Sequence, residues 1–484
     1  MQHAAQLIAY ADRFGGSLPG LSALLDGPLQ GLFGGVHILP FFHPIDGADA
    51  GFDPIDHLQV DARLGSWDDI RALAARRRVM ADVIVNHVSS RSPQFLDYAA
   101  RGAASPYAGM FLTRDAVFPG GASPEELARI YRPRPGLPFT TATLADGREE
   151  TLWTTFTREQ LDIDVHHPAG HDYLQRILDR LGESQVSLAR LDAVGYAIKK
   201  RGTPCFMLPE TFEFIASFAA DARRRGIETL VEIHAYYQRQ IEIAKRVDWV
   251  YDFALPPLLL HAFAFRTAAP LANWIRIRPE NAVTVLDTHD GIGIVDIGAD
   301  GADREHHPGL VPPQELDRLV DWIHDNSKGE SRQATGAAAS NLDLYQVNCT
   351  YYDALGRDDG QYLAARAVQL FMPGIPQVYY VGLLAGHNDM ALLAQTRVGR
   401  DINRHHYTAV EIQQDLQRPV VRELCSLLRL RNTHPAFAGR FEWSQPAPSR
   451  LCLGWQHGAA AVTLEVDFSA GTHRISATPQ REAA

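Results

Sequence analysis

Short apolar runs rich in valine, isoleucine and leucine recur along the chain, and many of them end in charged or polar residues. Runs of this length between turn signals predict β-strands that are buried on both faces. Eight such strands are predicted, at residues 7–12, 35–42, 78–87, 186–195, 228–235, 247–255, 281–290 and 374–382.

Several gaps between these runs carry helical patterns. In one of them Ser66 precedes Asp68 and Asp69, and arginines follow at the far end of the segment. A capping serine with acids in the first turn and cations in the last suits the helix dipole, so this order predicts a helix after Ser66. Apolar residues at helical spacing between 212 and 226, with Gly226 as the stop signal, predict a second helix.

Strands that alternate with helices favour an α/β protein whose parallel sheet closes into a (β/α)8 TIM barrel. An open, doubly wound sheet is the alternative. Its nucleotide-binding form has a glycine-rich turn after the first strand, and no such turn follows residues 7–12. We therefore expect the barrel.

The gaps after the third and seventh predicted strands are too long for a single helix. In a barrel both would follow the carboxyl ends of strands and would lie over the catalytic face. Beyond residue 436 two alternating runs flank a His457-Gly458 turn, which predicts a small β-domain. The predicted organisation is a barrel from 1–87, 165–290 and 353–435, inserted domains at 88–164 and 291–352, and a C-terminal β-domain at 436–484.

The composition narrows the range of partners and locations. The 484 residues are 46% hydrophobic and carry a net charge of −11, which argues against nucleic acid or an anionic membrane as a partner. No run approaches the ~20 apolar residues that a membrane span needs, and the first residues do not resemble a secretory signal. The four cysteines form no CxxC pair, so reduced thiols and a cytoplasmic location are expected.

Charged and aromatic side chains follow the carboxyl ends of the predicted strands. Arg190 and Asp192 are two residues apart, so they share one face of the fourth strand. In a barrel the strand ends meet at one mouth. The side chains expected to converge there are Asp49, Phe52, His87, Arg190, Asp192, Glu232, His234, His289 and Asp290.

Several acids in one cleft cannot all ionise freely, and the resulting separation of pKa values lets carboxylates divide the roles of acid and nucleophile. Two carboxylates about 5 Å apart serve retaining glycosyl transfer. Taken singly, Arg190 and Asp192 could instead form a structural ion pair, and His87 could be a hydrogen-bonded core histidine. A metal site is a further alternative, but adjacent histidines point apart on a regular element and no HExxH spacing occurs.

The same residues lie in segments that resemble a known family. The segments "DVIVNH", "ARLDAVGY", "EIHA" and "VLDTHD" resemble the four ordered motifs of the α-amylase clan of glycoside-acting enzymes. Longer segments, including "GADAGFDPIDH", "YRPRPGLPF", "SNLDLYQVN" and "GRDINRHHY", resemble the bacterial sucrose phosphorylases. The resemblance covers nearly the whole chain and implies a barrel with insertions after strands three and seven and a C-terminal β-domain.

The resemblance also implies a reaction, in which a homodimer without metal or other cofactor converts sucrose and phosphate into α-glucose 1-phosphate and fructose. A covalent glucosyl-enzyme would be the intermediate. Related phosphorylases that prefer sucrose 6′-phosphate, glucosylglycerate or glucosylglycerol remain open, and so does a sucrose hydrolase or transglucosidase on the same barrel. A sugar-binding protein that has lost catalysis is a further alternative.

By motif position, the resemblance makes Asp192 the nucleophile, Glu232 the general acid/base and Asp290 the group that stabilises the transition state. Arg190 would keep Asp192 ionised, since a nearby cation lowers the pKa of an acid. The residues expected to bind substrate are Asp49, His87, Arg190, His289 and Arg400 for the glucosyl unit, Phe52 and Phe156 as an apolar wall, Tyr196, Asp343 and Gln346 near fructose, Gln160 and His234 at the acceptor region, and Arg134 and Tyr345 for phosphate.

Overall fold

The computed structural model describes residues 4–44, 46, 49–132, 136–300, 305–335 and 346–478. All eight predicted strands are present, each is parallel to its neighbours in chain order, and the last pairs with the first, so the predicted barrel is confirmed. The strands are β1 Gln6–Ala9, β2 Gly35–Ile38, β3 Arg78–Ile84, β4 Leu188–Asp192, β5 Glu228–Val231, β6 Trp249–Asp252, β7 Ala282–Thr284 and β8 Ile375–Tyr379.

The barrel strands are shorter than the apolar runs that predicted them. β7 ends at Thr284, although the run continues to residue 290. Val285 and Leu286 remain buried beyond the hydrogen-bonded ladder, so apolar character alone does not show where the strand ends. As a result Asp290 lies in a buried loop rather than on the strand.

Eight helices follow the barrel strands, and both predicted helices are among them. The Asp69 carboxylate accepts a hydrogen bond from the Ser66 backbone N–H at 2.8 Å, as expected for that cap. The second predicted helix begins earlier, at Pro209, because proline suits the first helical position. The eight are α1 Leu18–Asp26, α2 Trp67–Ala74, α3 Pro168–Glu183, α4 Pro209–Arg223, α5 Tyr237–Ala244, α6 Ala269–Ile277, α7 Asp359–Phe371 and α8 Pro419–Thr433.

The remaining elements lie in the connections, above all in those that follow β3 and β7. Four antiparallel pairs are Phe42–Pro44 with Pro54–Val60, His87–Ser89 with Gln160–Asp162, Phe139–Thr143 with Glu149–Trp153, and Ile292–Gly293 with Gln346–Val347. The other helices are Pro93–Arg101, Arg114–Val117, Pro124–Arg129, Leu255–Phe265, Pro313–Asn326, Glu330–Ala334, Tyr351–Ala354, Tyr380–Leu383, Met390–Thr396 and Ala409–Asp415, with 3-10 turns at Gly102–Ala104, Val194–Tyr196, Val295–Ile297, Gly399–Asn403 and Pro435–Ala438.

A four-stranded antiparallel sheet follows the barrel, formed by β9 Arg440–Ala447, β10 Arg450–His457, β11 Ala460–Asp467 and β12 Thr472–Ala477. The predicted turn at His457-Gly458 joins β10 and β11. The buried face of the sheet packs on the barrel, where Trp455 Nε1 donates to the Phe371 carbonyl at 2.6 Å. Among the described residues, none of the helices is both long enough and apolar enough to cross a membrane.

Candidate active site

Arg190 lies at the mouth of the barrel and contacts three carboxylates. Its Nη1 is 2.6 Å from Asp82 Oδ1 and 2.9 Å from Asp192 Oδ1, and its Nη2 is 3.2 Å from Glu232 Oε1. On the other side of Asp82, His37 Nε2 lies 3.0 Å from Oδ2. Because β2, β3, β4 and β5 are hydrogen-bonded neighbours, the pair predicted on the fourth strand is part of a buried charge network across four strands.

Burial determines the direction in which the pKa of Asp192 moves. Burial raises this pKa well above the usual range, Glu232 and Asp82 raise it further, and Arg190 lowers it without outweighing them. Arg190 acts in the expected direction, but the expectation that it keeps Asp192 ionised is wrong, because burial and the two neighbouring carboxylates outweigh it. Burial thus favours the protonated form of Asp192 in spite of the neighbouring guanidinium.

Asp290 is held from the opposite side of the pocket by Arg400. Arg400 Nη1 lies 2.8 Å from Asp290 Oδ1, and its Nη2 donates to Gln346 Oε1 at 3.3 Å. Although burial raises the pKa of Asp290, Arg400, His289 and Arg190 lower it by more, so that it falls below the usual range. Asp290 is thus ionised at neutral pH, whereas burial favours the protonated form of Asp192.

Two imidazoles and an aromatic ring form the inner wall. The ring of Phe52 stacks on His289 with centroids 4.7 Å apart and planes 7° apart. Burial lowers the pKa of both His289 and His87, so both are neutral near pH 7. Next to them Gln160 Nε2 donates to Asp49 Oδ2 at 2.6 Å, which directs the Asp49 carboxylate into the pocket.

Phe206 also lines the pocket, although the sequence analysis did not predict it. Its ring lies 4.6 Å from that of Tyr196, which in turn contacts Phe156 at 5.2 Å. A Cβ on Gly195 would lie 2.8 Å from the Phe206 ring, so glycine is needed for this approach. The residues on either side of Phe206 have φ of 54° and 51°, and such strain often accompanies function. The nearest signal in the sequence was Gly195, but a glycine after a strand is equally typical of an ordinary turn.

The cavity formed by these side chains has a volume of about 730 Å³ including its open mouth. Arg190 and Gln160 lie behind its wall, bonded to the carboxylates that face it. The predicted residues Arg134, Asp343 and Tyr345 lie outside the described residues. The predicted residues that line the cavity are Asp49, Phe52, His87, Phe156, Asp192, Tyr196, Glu232, His234, His289, Asp290, Gln346 and Arg400.

Glu232, His234 and Asp290 each offer a ligand atom within 4.8 Å of the others, which raises the question of a metal site. However, Arg190 lies 3.2 Å from Glu232 and Arg400 lies 2.8 Å from Asp290. Two guanidinium groups at this distance repel a divalent cation. Of the described residues, this cluster therefore does not fit a metal ion.

A second oxygen cluster already contains a cation. Lys199 Nζ lies 2.6 Å from Asn86 Oδ1 and 2.5 Å from Asp162 Oδ2, and the side chains of both the lysine and the aspartate are fully buried. The ammonium group fills the space between these two oxygens, so the residues do not fit a metal ion here either.

Comparison with known proteins agrees with this geometry. The protein-family model described as "Alpha amylase, catalytic domain" matches residues 11–248 of this chain. Sucrose phosphorylases from Agrobacterium vitis and Bifidobacterium adolescentis are 59% and 54% identical, over 99% of this chain and 98% and 95% of theirs. A sucrose 6(F)-phosphate phosphorylase from Thermoanaerobacterium thermosaccharolyticum is 38% identical, over 97% of this chain and 95% of its own.

Solved structures give the same grouping. The crystal structure of sucrose 6F-phosphate phosphorylase from Thermoanaerobacter thermosaccharolyticum superposes with a TM-score of 0.91 at 37% identity, covering 99% of this chain and 96% of that one. The α-amylase from H. orenii has a TM-score of 0.65 at 15% identity, over 97% of this chain and 90% of its own, which shows a shared fold. The chain therefore belongs to the sucrose phosphorylase family, built on the catalytic barrel of the α-amylases.

Proposed function

We propose that this enzyme transfers the glucosyl unit of sucrose to inorganic phosphate with retention of configuration, giving α-D-glucose 1-phosphate and fructose. The observation that carries the proposal is the pair Asp192 and Glu232 on one guanidinium, with the anionic Asp290 across the pocket. The two curated sucrose phosphorylases at more than half identity support sucrose as the donor.

In the first step Asp192 attacks the anomeric carbon while Glu232 protonates the departing fructose oxygen. This step needs one proton on the pair, and the raised pKa of Asp192 indicates that the free site retains one. The proton must reside on Glu232 when the donor is bound, because the Asp192 carboxylate is the attacking group. Asp290 stabilises the positive charge that develops on the sugar ring.

In the second step a phosphate oxygen attacks the glucosyl ester from the face that fructose left. Glu232 accepts the proton of the incoming acceptor, the ester bond to Asp192 breaks, and both carboxylates return to their initial state. Two inversions give net retention. Water at the same position would yield glucose, which accounts for a slow hydrolytic side reaction.

Phosphate must enter a pocket rich in carboxylates and needs cations at its mouth. Of the two arginines in "YRPRPGLPF", Arg132 donates to the carbonyls of Thr155 and Leu137 at 2.8 Å and of Phe156 at 3.1 Å. Arg132 thus holds its loop in place, and we assign phosphate binding to Arg134, with Tyr345. Arg134→Ala should lower phosphorolysis at least tenfold more than hydrolysis, and equal losses would contradict this role.

A product assay tests the proposed reaction directly. Purified enzyme is incubated with sucrose or sucrose 6′-phosphate, each with and without inorganic phosphate. Glucose 1-phosphate and fructose should form fastest from sucrose with phosphate. Free glucose at an unchanged rate without phosphate would make the enzyme a hydrolase. Turnover of the phosphorylated sugar alone would make it a sucrose 6′-phosphate phosphorylase.

We further propose a cytoplasmic homodimer that needs no cofactor. The thiols of Cys205, Cys349, Cys425 and Cys452 are free, which suits a reducing compartment. The two arginines on the carboxylate cluster and the ammonium of Lys199 support activity without a metal. Dialysis against EDTA should leave the rate unchanged, and light scattering should give twice the chain mass of 53.6 kDa.

A further inference from the structure

His234 has a buried carboxylate behind it. Its Nδ1 lies 2.8 Å from Oδ2 of Asp296, a fully buried residue of the 3-10 turn Val295–Ile297. The ring stacks on Phe253 with centroids 3.9 Å apart, and Nε2 lies on the pocket side, 4.0 Å from Glu232 Oε1. The stacking on Phe253 fixes the plane of the His234 ring, and the hydrogen bond to Asp296 fixes which ring nitrogen faces the pocket.

Asp296 is itself held rigidly. Its Oδ1 accepts hydrogen bonds from the Ala235 backbone N–H at 3.2 Å and from Gln240 Nε2 at 2.9 Å. A Cβ on Gly293 would lie 2.2 Å from Asp296 Oδ2 and 2.9 Å from His234 Nδ1. The chain thus passes directly over this hydrogen bond at a residue that has no side chain, so Gly293 is required for the pair to form.

We propose that Asp296 is a positioning residue that holds His234 with Nδ1 protonated and Nε2 facing the pocket, as the hydrogen-bond donor for the phosphate that replaces fructose. This inference rests on the proposed function. A neutral ring with the proton on Nδ1 would offer only an acceptor at Nε2, so Nε2 donates from the imidazolium form, which the carboxylate supports. A donor beside Glu232 matches a phosphate oxygen, and it leaves the nucleophile Asp192 untouched.

Three acids face His234: Asp296 from the turn, Glu232 from the end of β5 and Asp290 from the loop after β7. Burial lowers the pKa of His234, but these three carboxylates outweigh it and raise the pKa above its ordinary value, with Asp296 contributing most. Asp296→Asn removes the carboxylate that raises the pKa of His234 most, so burial lowers this pKa and the imidazolium loses its proton at a lower pH.

The test is Asp296→Asn in the full-length enzyme, with phosphorolysis and hydrolysis of sucrose measured from pH 5 to 9. KM for phosphate should rise at least tenfold at pH 7, hydrolysis without phosphate should stay within twofold, and the alkaline decline of phosphorolysis should move to lower pH. Equal loss of both reactions, or no change in either, would overturn the inference.

A glycine pair supplies a second, independent perturbation. Gly293→Ala places a methyl group against the hydrogen bond and should reproduce the selective loss of phosphorolysis. Gly298→Ala is the matched control at the end of the same turn, where the nearest atom is the flexible Leu316 Cδ1 at 3.3 Å, and it should match wild type. If neither Gly293→Ala nor Asp296→Asn loses phosphorolysis selectively, the positioning role of Asp296 is refuted.

A double substitution shows whether Asp296 acts through His234. In a His234→Gln background, Asp296→Asn should change KM for phosphate less than twofold, because the group that it positions is gone. Additive losses would assign Asp296 a separate role and overturn the inference. Wild-type enzyme that forms no glucose 1-phosphate would instead refute the proposed function, so the two failures are distinguishable.

Discussion

At the scale of single residues, the active site is governed by how few cations its acids share. Arg190 contacts Asp82, Asp192 and Glu232, so Asp192 shares its nearest cation with two other carboxylates. Burial raises the pKa of Asp192 in spite of Arg190, so the site holds a proton, which retaining transfer needs at its first step. Asp290 has Arg400 as its own partner and stays ionised.

The nucleophile assignment predicts that Asp192→Asn loses both phosphorolysis and hydrolysis, because both pass through the same ester. We expect each rate to fall by about 10³-fold or more, measured as release of fructose from sucrose with and without phosphate. Asp172→Asn, at an exposed position on α3, is the control and should retain full activity. Residual turnover above about one per cent in a clean preparation would argue for another nucleophile.

A buried carboxyl near the pocket predicts a pH dependence of stability. Burial raises the pKa of Asp53 to about 7, and Asp49 adds to the rise. Between pH ~4, the pKa range of an unfolded aspartate, and pH ~7 the native state alone keeps this proton, so the free energy of unfolding falls as pH rises through that window.

The side chain introduced by Asp53→Asn does not ionise. The substitution should therefore remove the contribution of this group to the fall in the free energy of unfolding with rising pH. Its stability relative to wild type should increase from pH 5 to pH 8 by about 2–4 kcal/mol, and it should level off above the native pKa. Thermal unfolding at pH 5, 6, 7 and 8 measures the difference, with Asp172→Asn as the flat control. A difference that does not depend on pH would contradict the raised pKa.

At the scale of elements, a short ladder attaches the segment after β3 to the barrel. His87–Ser89 pairs with Gln160–Asp162, so the ladder carries His87 and Gln160 to the pocket. Lys199 forms an ion pair with Asp162 of this ladder. The Asp162 carboxylate also accepts hydrogen bonds from the Thr155 backbone N–H at 2.9 Å and from the Thr155 hydroxyl at 2.6 Å. A buried charge pair is thus what fixes two site residues.

Lys199→Met would leave the Asp162 carboxylate buried without its cation. We expect a loss of about 3–5 kcal/mol in the free energy of unfolding, as when one partner of a buried pair is removed, measured by urea denaturation. The neighbouring Lys200→Met removes an ammonium group on a side chain that is 59% exposed and should cost less than about 1 kcal/mol. Equal effects of the two substitutions would refute the structural role of Lys199.

At the scale of the whole molecule, the C-terminal sheet shares a core with the barrel. Trp455 is buried and lies under Arg431, whose guanidinium carbon is 5.5 Å from the tryptophan ring and 4.7 Å from that of Phe437. Its indole nitrogen also donates to the end of α7. The sheet and the barrel should therefore unfold in one transition.

Trp455→Ala tests this coupling. Removing the ring should cost about 3–5 kcal/mol and should lower the Tm of the whole chain while leaving a single calorimetric transition. Thr463→Ala, on the exposed face of the same sheet, is the control and should leave Tm unchanged. A separate early transition for the sheet would show that it folds independently of the barrel.

The local features were predictable because their signals are local. Apolar runs gave the order and number of the barrel strands, the Ser66 cap gave the start of α2, and the alternation after residue 436 gave β10 and β11. The strand ends were placed too late, as at β7, because buried loop residues are as apolar as ladder residues. Phe206 was missed because its role depends on contact with Tyr196 across a turn.

The sequence by itself determined the barrel, its long connections and the site residues that follow its strands, since strand periodicity and motif order are properties of neighbouring residues. Only the tertiary structure decided how the charges are shared. Arg190 meets Asp82 from 108 positions away, and His234 meets Asp296 from 62. Burial and such distant partners set the protonation states, and neither quantity can be read from a linear pattern.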